Sequence, residues 1–318
     1  MLYLCEEEIA EILTMREAIE AVEKAFGEYA RGSAIMPSRS TMMLDKYNGS
    51  VSLMPSYLEE TGALATKIIS IYPENPRKGL PTTMASIVVN DPETGRISAI
   101  LDGTYLTSVR TGAASGVAAR YLAPRDSRVA AVIGCGAQGM TQAWAMAETF
   151  NLDQIRIFDI FKEGMDRFVN EMVSRLGVDI IKAGSSKEAV KGADIVLTAT
   201  TSKEPVIQRA WLEDRVHVGA FGSFYPDSRE LDTATIVEGK VVVDSMEAMM
   251  DEAGDLLIPI SEGAITADHI HAELGAVVNG EKEGRTKSDS LTVFKSVGMA
   301  IQDSSVASLV LRKYKESH

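Results

Sequence analysis

The sequence predicts an α/β protein in which a doubly wound parallel-sheet domain accompanies a smaller α+β domain. Three observations carry this. The chain has 318 residues, which at about 150 residues per domain makes two domains. From Val129 onward, short apolar runs alternate with amphipathic stretches of helical length, the mark of a parallel sheet with crossover helices. Before about residue 108 the texture differs: one long amphipathic helix, then short apolar runs parted by Pro and Gly.

The elements follow in order. Thr14-Met-Arg-Glu17 has capping-box spacing, and Met15, Ala18, Ile19, Val22, Phe26 and Tyr29 then mark one helical face as far as a stop at Gly32. Val51–Met54, Ala65–Ile71 and Met84–Val89 read as strands, and Asp91-Pro-Glu-Thr-Gly95 turns the chain into a returning strand at Ile97–Leu101. Thr111–Ala123 is helix-compatible. Strands are expected at Val129–Ile133, Ile155–Phe158, Ile180–Ile181, Ile195–Thr198, Val216–Ala220 and Lys240–Val243, with helices at Met140–Phe150 and Lys162–Leu176. Val293, Phe294, Val297, Ala300 and Ile301 read as the opening apolar face of a C-terminal helix.

Composition bounds the function. Apolar residues make up 45% and charged residues 24%, which excludes a disordered chain and a disulfide scaffold. Lys plus Arg is 32 against 45 Asp plus Glu, a net charge of −13 that repels phosphate, so no nucleic-acid partner is expected. Cys5 and Cys135 are too few and too distant for a disulfide framework or a zinc site, and the N-terminus lacks the basic and apolar regions of a signal peptide. A cytoplasmic location is expected. The 19 uncharged residues Val129–Ala147 have the length of a membrane span, but Gly134, Gly136, Gln138, Gly139, Thr141 and Gln142 argue against one.

That same stretch carries the strongest motif. Gly134-Cys-Gly136-Ala137-Gln138-Gly139 is G-x-G-x-x-G placed directly between a strand and a helix. Glycines there allow a tight turn, close backbone approach to a pyrophosphate and close helix–strand packing, and the helix N-terminus offers free N–H groups. Asp159 ends the next strand, where a carboxylate accepts hydrogen bonds from a ribose diol. NAD(H) is therefore the expected cofactor, and Lys162 nearby keeps NADP(H) open. Thr198 and Thr200 end a strand where cofactors lie, or are ordinary β-branched strand ends. His269 and His271 lack a third ligand, which favours a surface or capping role over metal binding. Arg39, Lys67 and Arg110 are isolated cations in apolar or small-residue surroundings. They form a carboxylate clamp if they converge, and are surface cations or structural ion pairs if they do not.

Taken together, the residues resemble the ornithine cyclodeaminase/mu-crystallin family, which includes archaeal-type alanine dehydrogenases and cyclic ketimine reductases. The resemblance runs along essentially the whole chain. It rests on Met36-Pro37, Leu53-Met-Pro55, Lys67 in its strand, Lys78-Gly-Leu-Pro81-Thr82 and Asp91–Gly95. Further on it rests on Ser108-Val-Arg110-Thr-Gly-Ala-Ala114, Val132–Gln138, Arg229-Glu-Leu-Asp232 and Thr292–Asp303.

The resemblance implies a substrate-binding and dimerisation domain from residues 1–112 and 303–318, with the Rossmann domain, 113–302, inserted between them. It implies a homodimer. It also implies that Arg39, Lys67 and Arg110 hold a substrate carboxylate, that Thr111 and Gly112 lie near the cofactor phosphates, and that Ser296, Val297 and Gly298 lie near the nicotinamide. Two departures stand out. Phe224 occupies the place of the cyclodeaminase catalytic aspartate, and Ser52 that of the glutamate that binds a distal amine. Both point away from ornithine and toward reduction of a cyclic imino acid, Δ1-pyrroline-2-carboxylate or Δ1-piperideine-2-carboxylate, with Ser52 and Phe224 lining the substrate. The alternatives are an alanine dehydrogenase-like enzyme, an ornithine cyclodeaminase, and a non-catalytic NAD(P)H- or ligand-binding protein.

Overall fold

The computed structural model describes residues 1–318. The chain divides into two compact units, Met1–Arg110 with Met299–His318, and Thr111–Gly298. The breaks expected after residues 112 and 302 thus fall after Arg110 and Gly298. The first lies inside a continuous helix, Gly103–Leu122, and the second just ahead of the C-terminal helix, Ala300–Ser317, all of which belongs to the first unit.

The first unit opens with β1 (Leu2–Leu4), α1 (Glu6–Ile12) and α2 (Met15–Ala30). Thr14 caps α2: its Oγ1 accepts from the Glu17 N–H, and Glu17 Oε2 accepts from the Thr14 N–H at 3.1 Å. The strands are β2 (Ala34–Ile35), β3 (Ser40–Leu44), β4 (Gly49–Leu58), β5 (Ala63–Ile71), β6 (Thr83–Asn90) and β7 (Ile97–Asp102). They form one sheet of order β1-β7-β6-β5-β4-β2, with β3 also beside β4. The connections from β4 to β7 are antiparallel, and β1 lies parallel to β7. Strand alternation sorts β4 and β5 into two faces. Ser52, Met54, Ser56, Ala65 and Lys67 are buried, whereas Leu53 and Ile68 are exposed. The C-terminal helix covers the buried face, packing on β4, β5, β6 and α2, and Ser304 meets Ser56 hydroxyl to hydroxyl.

Helix α3 (Gly103–Leu122) begins eight residues before the expected Thr111. The Asp102 carboxylate accepts from the Tyr105 N–H at 2.9 Å and starts it there. In the second unit, β8 (Val129–Ile133), α4 (Ala137–Thr149), β9 (Gln154–Phe158), α5 (Lys162–Leu176) and β10 (Asp179–Lys182) form one half of a doubly wound arrangement. The other half contains α6 (Ser186–Val190), β11 (Ile195–Thr198), β12 (Val216–Ala220), α7 (Thr233–Glu238) and β13 (Lys240–Val243). It continues with α8 (Met246–Glu252), α9 (Gly254–Ser261), β14 (Ile270–Glu273), α10 (Leu274–Val278) and β15 (Leu291–Lys295). All pairs are parallel, in the order β10-β9-β8-β11-β12-β15-β13-β14. The chain reverses its winding between β8 and β11, which is where such sheets bind ligands.

Val293 and Phe294 do not begin the C-terminal helix as expected. They are buried in β15, a central strand between β12 and β13. A short, wholly apolar run fits a helix face and a two-sided buried strand equally well, and only its ladder partners decide. The uncharged stretch Val129–Ala147 resolves into β8, the glycine loop and part of α4, and no helix is long and apolar enough to cross a membrane.

A buried acid outside the site holds the β4–β5 turn. Glu28 is 1% exposed and accepts from the Glu60 N–H at 2.6 Å and the Thr61 hydroxyl at 3.3 Å. Glu28→Ala leaves those donors without their acceptor. The expected outcome is a loss of about 1–3 kcal/mol in urea unfolding monitored by circular dichroism.

Candidate active site

Lys67 sits in the middle of β5, opposite Met54 on one side and Ile87 on the other. An ammonium in that setting costs several kcal/mol unless paired. Its partner comes from the C-terminal helix: Lys67 Nζ lies 2.8 Å from Asp303 Oδ2, with both side chains buried. The second oxygen, Asp303 Oδ1, accepts from Arg110 Nε at 2.9 Å, and Arg110 Nη1 donates to Gln302 Oε1 at 2.6 Å. Lys67 and Asp303 are therefore in direct ionic contact.

Burial pulls the Lys67 value down to about 7, helped by the Arg110 charge and by Arg39, while Asp303 opposes the fall. Arg39, half-buried, is therefore near enough to be felt by Lys67. Two of the three cations flagged in the sequence, Lys67 and Arg110, meet at Asp303, and the third, Arg39, lies within electrostatic range of Lys67. Ser52 shares that buried face, and its Oγ meets Thr41 Oγ1 at 2.8 Å.

The second unit carries the glycine loop. Gly134 has φ +99°, and a side chain there would strike the Ala199 carbonyl. A side chain at Gly139 would strike the Gly134 carbonyl, so the loop closes tightly on the start of α4. Gly136 is the N-cap of α4, makes no side-chain cap and faces open space. Ala137 and Gln138 form the first turn, whose N–H groups suit a pyrophosphate. Asp159 lies alongside: its Oδ2 accepts from the Cys135 N–H at 2.8 Å and its Oδ1 from the Phe161 N–H at 2.9 Å. Each oxygen keeps lone pairs for a ribose diol. The residues present therefore fit a dinucleotide. Burial pushes the Cys135 thiol up to about 12, so this cysteine is a packing residue. Thr111 is buried in the middle of α3, and the next residue, Gly112, abuts the Thr141 backbone of α4.

Buried acids hold the strand ends around this loop. Glu230, fully buried, accepts from Thr198 Oγ1 at 2.8 Å, Thr200 N at 2.6 Å, Thr200 Oγ1 at 2.8 Å and Gly222 N at 2.7 Å. It thereby ties the end of β11 to the end of β12. The two threonine hydroxyls expected to face a cofactor are turned to Glu230, and Thr198 has no exposure at all. Asp244 accepts from Ser296 Oγ at 2.6 Å, Val297 N at 3.0 Å and Gly298 N at 2.8 Å, fixing the segment after β15. Burial raises the value of each of these two acids. Lys295 Nζ lies 2.8 Å from Asp255 Oδ2 and donates to the Ser223 carbonyl at 2.6 Å, just before Phe224. Phe224 is half-buried, its ring 4.7 Å from that of Tyr225. His269 and His271 each place Nε2 on a backbone carbonyl, of Ile236 at 2.8 Å and Glu283 at 2.9 Å.

The motifs Arg229–Asp232 and Thr292–Asp303 contain Glu230, Lys295, Gln302 and Asp303, but no role was read for any of them, and Asp244 and Asp255 lie outside every motif. One signal was available. Lys295 ends the apolar run Leu291–Lys295, and the argument that flags a lysine inside a strand at Lys67 applies to it equally.

Comparison with known proteins identifies the family and the fold. The model of the ornithine cyclodeaminase/mu-crystallin family matches residues 1–318. The chain belongs to that family. A structure of Thermococcus litoralis Δ1-pyrroline-2-carboxylate reductase in complex with NADH and L-proline is 44% identical, with a TM-score of 0.97 over 100% of this chain and 98% of that one. Alanine dehydrogenase of Archaeoglobus fulgidus is 38% identical over 97% of this chain and 94% of its own. An archaeal alanine dehydrogenase dimer solved with bound NAD is 36% identical, with a TM-score of 0.93 over 100% and 97%.

Glu230→Ala leaves the Thr200 and Gly222 N–H groups without an acceptor. Hydrogen exchange at those two amides is expected to accelerate roughly tenfold or more, since one charge-assisted bond is worth about 1.5–3 kcal/mol. Mass spectrometry of the peptides that contain them checks this.

Proposed function

We propose that the protein is an NAD(P)H-dependent reductase of a cyclic imino acid, Δ1-pyrroline-2-carboxylate or Δ1-piperideine-2-carboxylate, giving L-proline or L-pipecolate. One observation carries the reading: Lys67 and Arg110 share a single buried carboxylate, Asp303, with Arg39 in electrostatic range. That pair holds excess positive charge where a small anion is to bind. The Thermococcus litoralis relative with NADH and L-proline supports the same substrate class.

The reaction adds a hydride to the imine carbon and leaves a proton on the nitrogen. NAD(H) is assigned to Gly134, Gly136, Ala137, Gln138 and Asp159, with Thr111, Gly112, Ser296 and Gly298 alongside; when bound, its nicotinamide supplies the hydride. Thr198 and Thr200 serve that site indirectly, by holding the loop through Glu230. Asp159 favours NADH over NADPH, because a carboxylate repels a 2′-phosphate, while the exposed Lys162 leaves room for NADPH.

Arg110 and Arg39 hold the substrate carboxylate, and a guanidinium can engage both of its oxygens. Lys67, with a value near 7, can keep its proton or release it at neutral pH, which suits delivery to the imine nitrogen. A protonated imine is already a strong hydride acceptor, so no carboxylate base is needed where Phe224 stands. The Phe224 ring supplies apolar cover for a substrate ring, and Ser52 lines the substrate on the clamp side.

The Archaeoglobus fulgidus relative favours a second reading, reductive amination of an acyclic oxo acid such as pyruvate by the same clamp. A binding protein without catalysis is the reading from another class, and the complete set of Arg39, Lys67 and Arg110 argues against it. We infer a cytoplasmic homodimer. The dimer is supported by the outer face of the β3–β5 sheet, where Met42, Leu53 and Ile68 are 63%, 44% and 39% exposed.

A steady-state screen of NADH and NADPH against both cyclic imines, pyruvate with ammonia, and ornithine tests this. Turnover of a cyclic imine is expected. Turnover of pyruvate and ammonia alone would transfer the protein to the second reading, and NADH binding without any turnover to the third. Arg110→Ala is expected to raise KM for the imino acid roughly 10- to 100-fold, the worth of a charged hydrogen bond to a carboxylate. In the reductive direction kcat/KM is expected to fall as pH rises through about 7, because the protonated form of Lys67 is the donor. That limb should vanish in Lys67→Ala.

A further inference from the structure

We propose that Asp303 is the positioning residue of the substrate clamp, dividing its two carboxylate oxygens between Lys67 and Arg110 so that one charge on the C-terminal helix sets the spacing and direction of both cations. The proposal rests on the imino-acid reductase reading of this site and assigns a duty within it.

The geometry supports that duty. Asp303 is 1% exposed, so it is not a surface counter-ion that water could replace. Its Oδ1 takes Arg110 Nε at 2.9 Å and its Oδ2 lies 2.8 Å from Lys67 Nζ, which brings cations from β5 and α3 to a common carboxylate. Gln302, the preceding residue, completes the hold. Its Oε1 takes Arg110 Nη1 at 2.6 Å, so two different guanidinium nitrogens are anchored and the plane of the fork is fixed. Because an arginine only donates, its partner must be the amide oxygen, which assigns the amide's orientation. Gln302 Nε2 is then left as a buried donor without a partner.

The groups facing Lys67 from each packed element can be named. Asp303 comes from the C-terminal helix, Arg110 from α3 and Arg39 from the segment leading into β3. The strand neighbours Met54 on β4 and Ile87 on β6 are uncharged. Asp303 is thus the only negative charge among them. Without it, two buried cations would repel each other with nothing between them, and the proton on Lys67 would be lost at lower pH.

The test is the isosteric Asp303→Asn, with Asp303→Glu as a second variant that keeps the charge. In Asp303→Asn the imino-acid KM is expected to rise at least about tenfold while the NADH KM stays within about twofold. The alkaline limb of kcat/KM should move to lower pH by about one unit, and Asp303→Glu should recover the wild-type limb. Unchanged imino-acid KM and limb in Asp303→Asn overturn the proposal. So does a parallel rise in both KM values, which marks general damage.

A second measurement needs no turnover. In protein 13C-labelled at lysine, with the Lys67 Cε signal assigned by Lys67→Met, that signal should titrate at lower pH in Asp303→Asn than in wild type. If the wild-type enzyme reduces no imino or oxo acid, the functional reading fails. The titration then decides the positioning role alone: a lower midpoint supports it, and an unchanged one rejects it.

Discussion

Two cations on separate elements of the first unit are held beside one another by a single buried carboxylate. Like charges at such a distance separate unless something of opposite sign lies between them, and burial sharpens both the repulsion and the cure. Asp303 supplies that sign from a helix at the far end of the chain. The contact adds to the packing that joins residues 299–318 to the first 110 in one unit. It also explains the composition of the buried face of β4 and β5. Ser52, Ser56 and Lys67 sit on a face that would otherwise be wholly apolar, and Ser304 and Asp303 of the covering helix meet two of them.

The second unit uses the same device for a different end. Glu230, Asp244 and Asp255 are fully buried acids, and each receives backbone N–H groups or hydroxyls from segments that leave the ends of parallel strands. Strand ends have no ladder partners beyond the sheet, so loops there wander unless side chains replace the missing bonds. An acid can accept several donors at once, which is why one glutamate suffices to tie β11 to β12. The cost is burial of charge, offset for Asp255 by the Lys295 ammonium. Rigid loop ends are what a hydride transfer requires, since reacting atoms must be held to within fractions of an ångström.

An acidic protein with a net charge of −13 that is to bind an anionic substrate must hold its positive groups apart from the general field. Burying Lys67 and Arg110 does this. Their charges act at short range in a poorly screened interior, and one carboxylate does not cancel both. The same burial brings Lys67 into the range where its proton is available at neutral pH. On the proposed reading, binding charge and transferable proton both follow from that burial.

Much of this was legible in the chain itself. The glycine loop between a strand and a helix, the strand-ending Asp159, and the rhythm of short apolar runs follow from local geometry, and local geometry is written in neighbouring residues. The lysine at position 67 announced itself because an ammonium inside a strand is costly wherever it falls. What residues near in sequence could not announce was the partner. Asp303 lies more than two hundred positions away from Lys67, and its place at the end of the Thr292–Asp303 motif does not say which residue it meets. Thr198 and Thr200 show the same limit from the other side: their position at a strand end suggested a ligand, and the structure turns their hydroxyls to Glu230. Val293 and Phe294 looked like a helix face until β12 and β13 were placed on either side of them. Most of the elements, the glycine loop and the three cations could be read from neighbouring residues, because propensity, periodicity and the cost of buried charge act locally. Which residues meet, as Lys67 and Arg110 meet Asp303, emerges only once the chain is folded, because pairing across the chain depends on how distant segments pack.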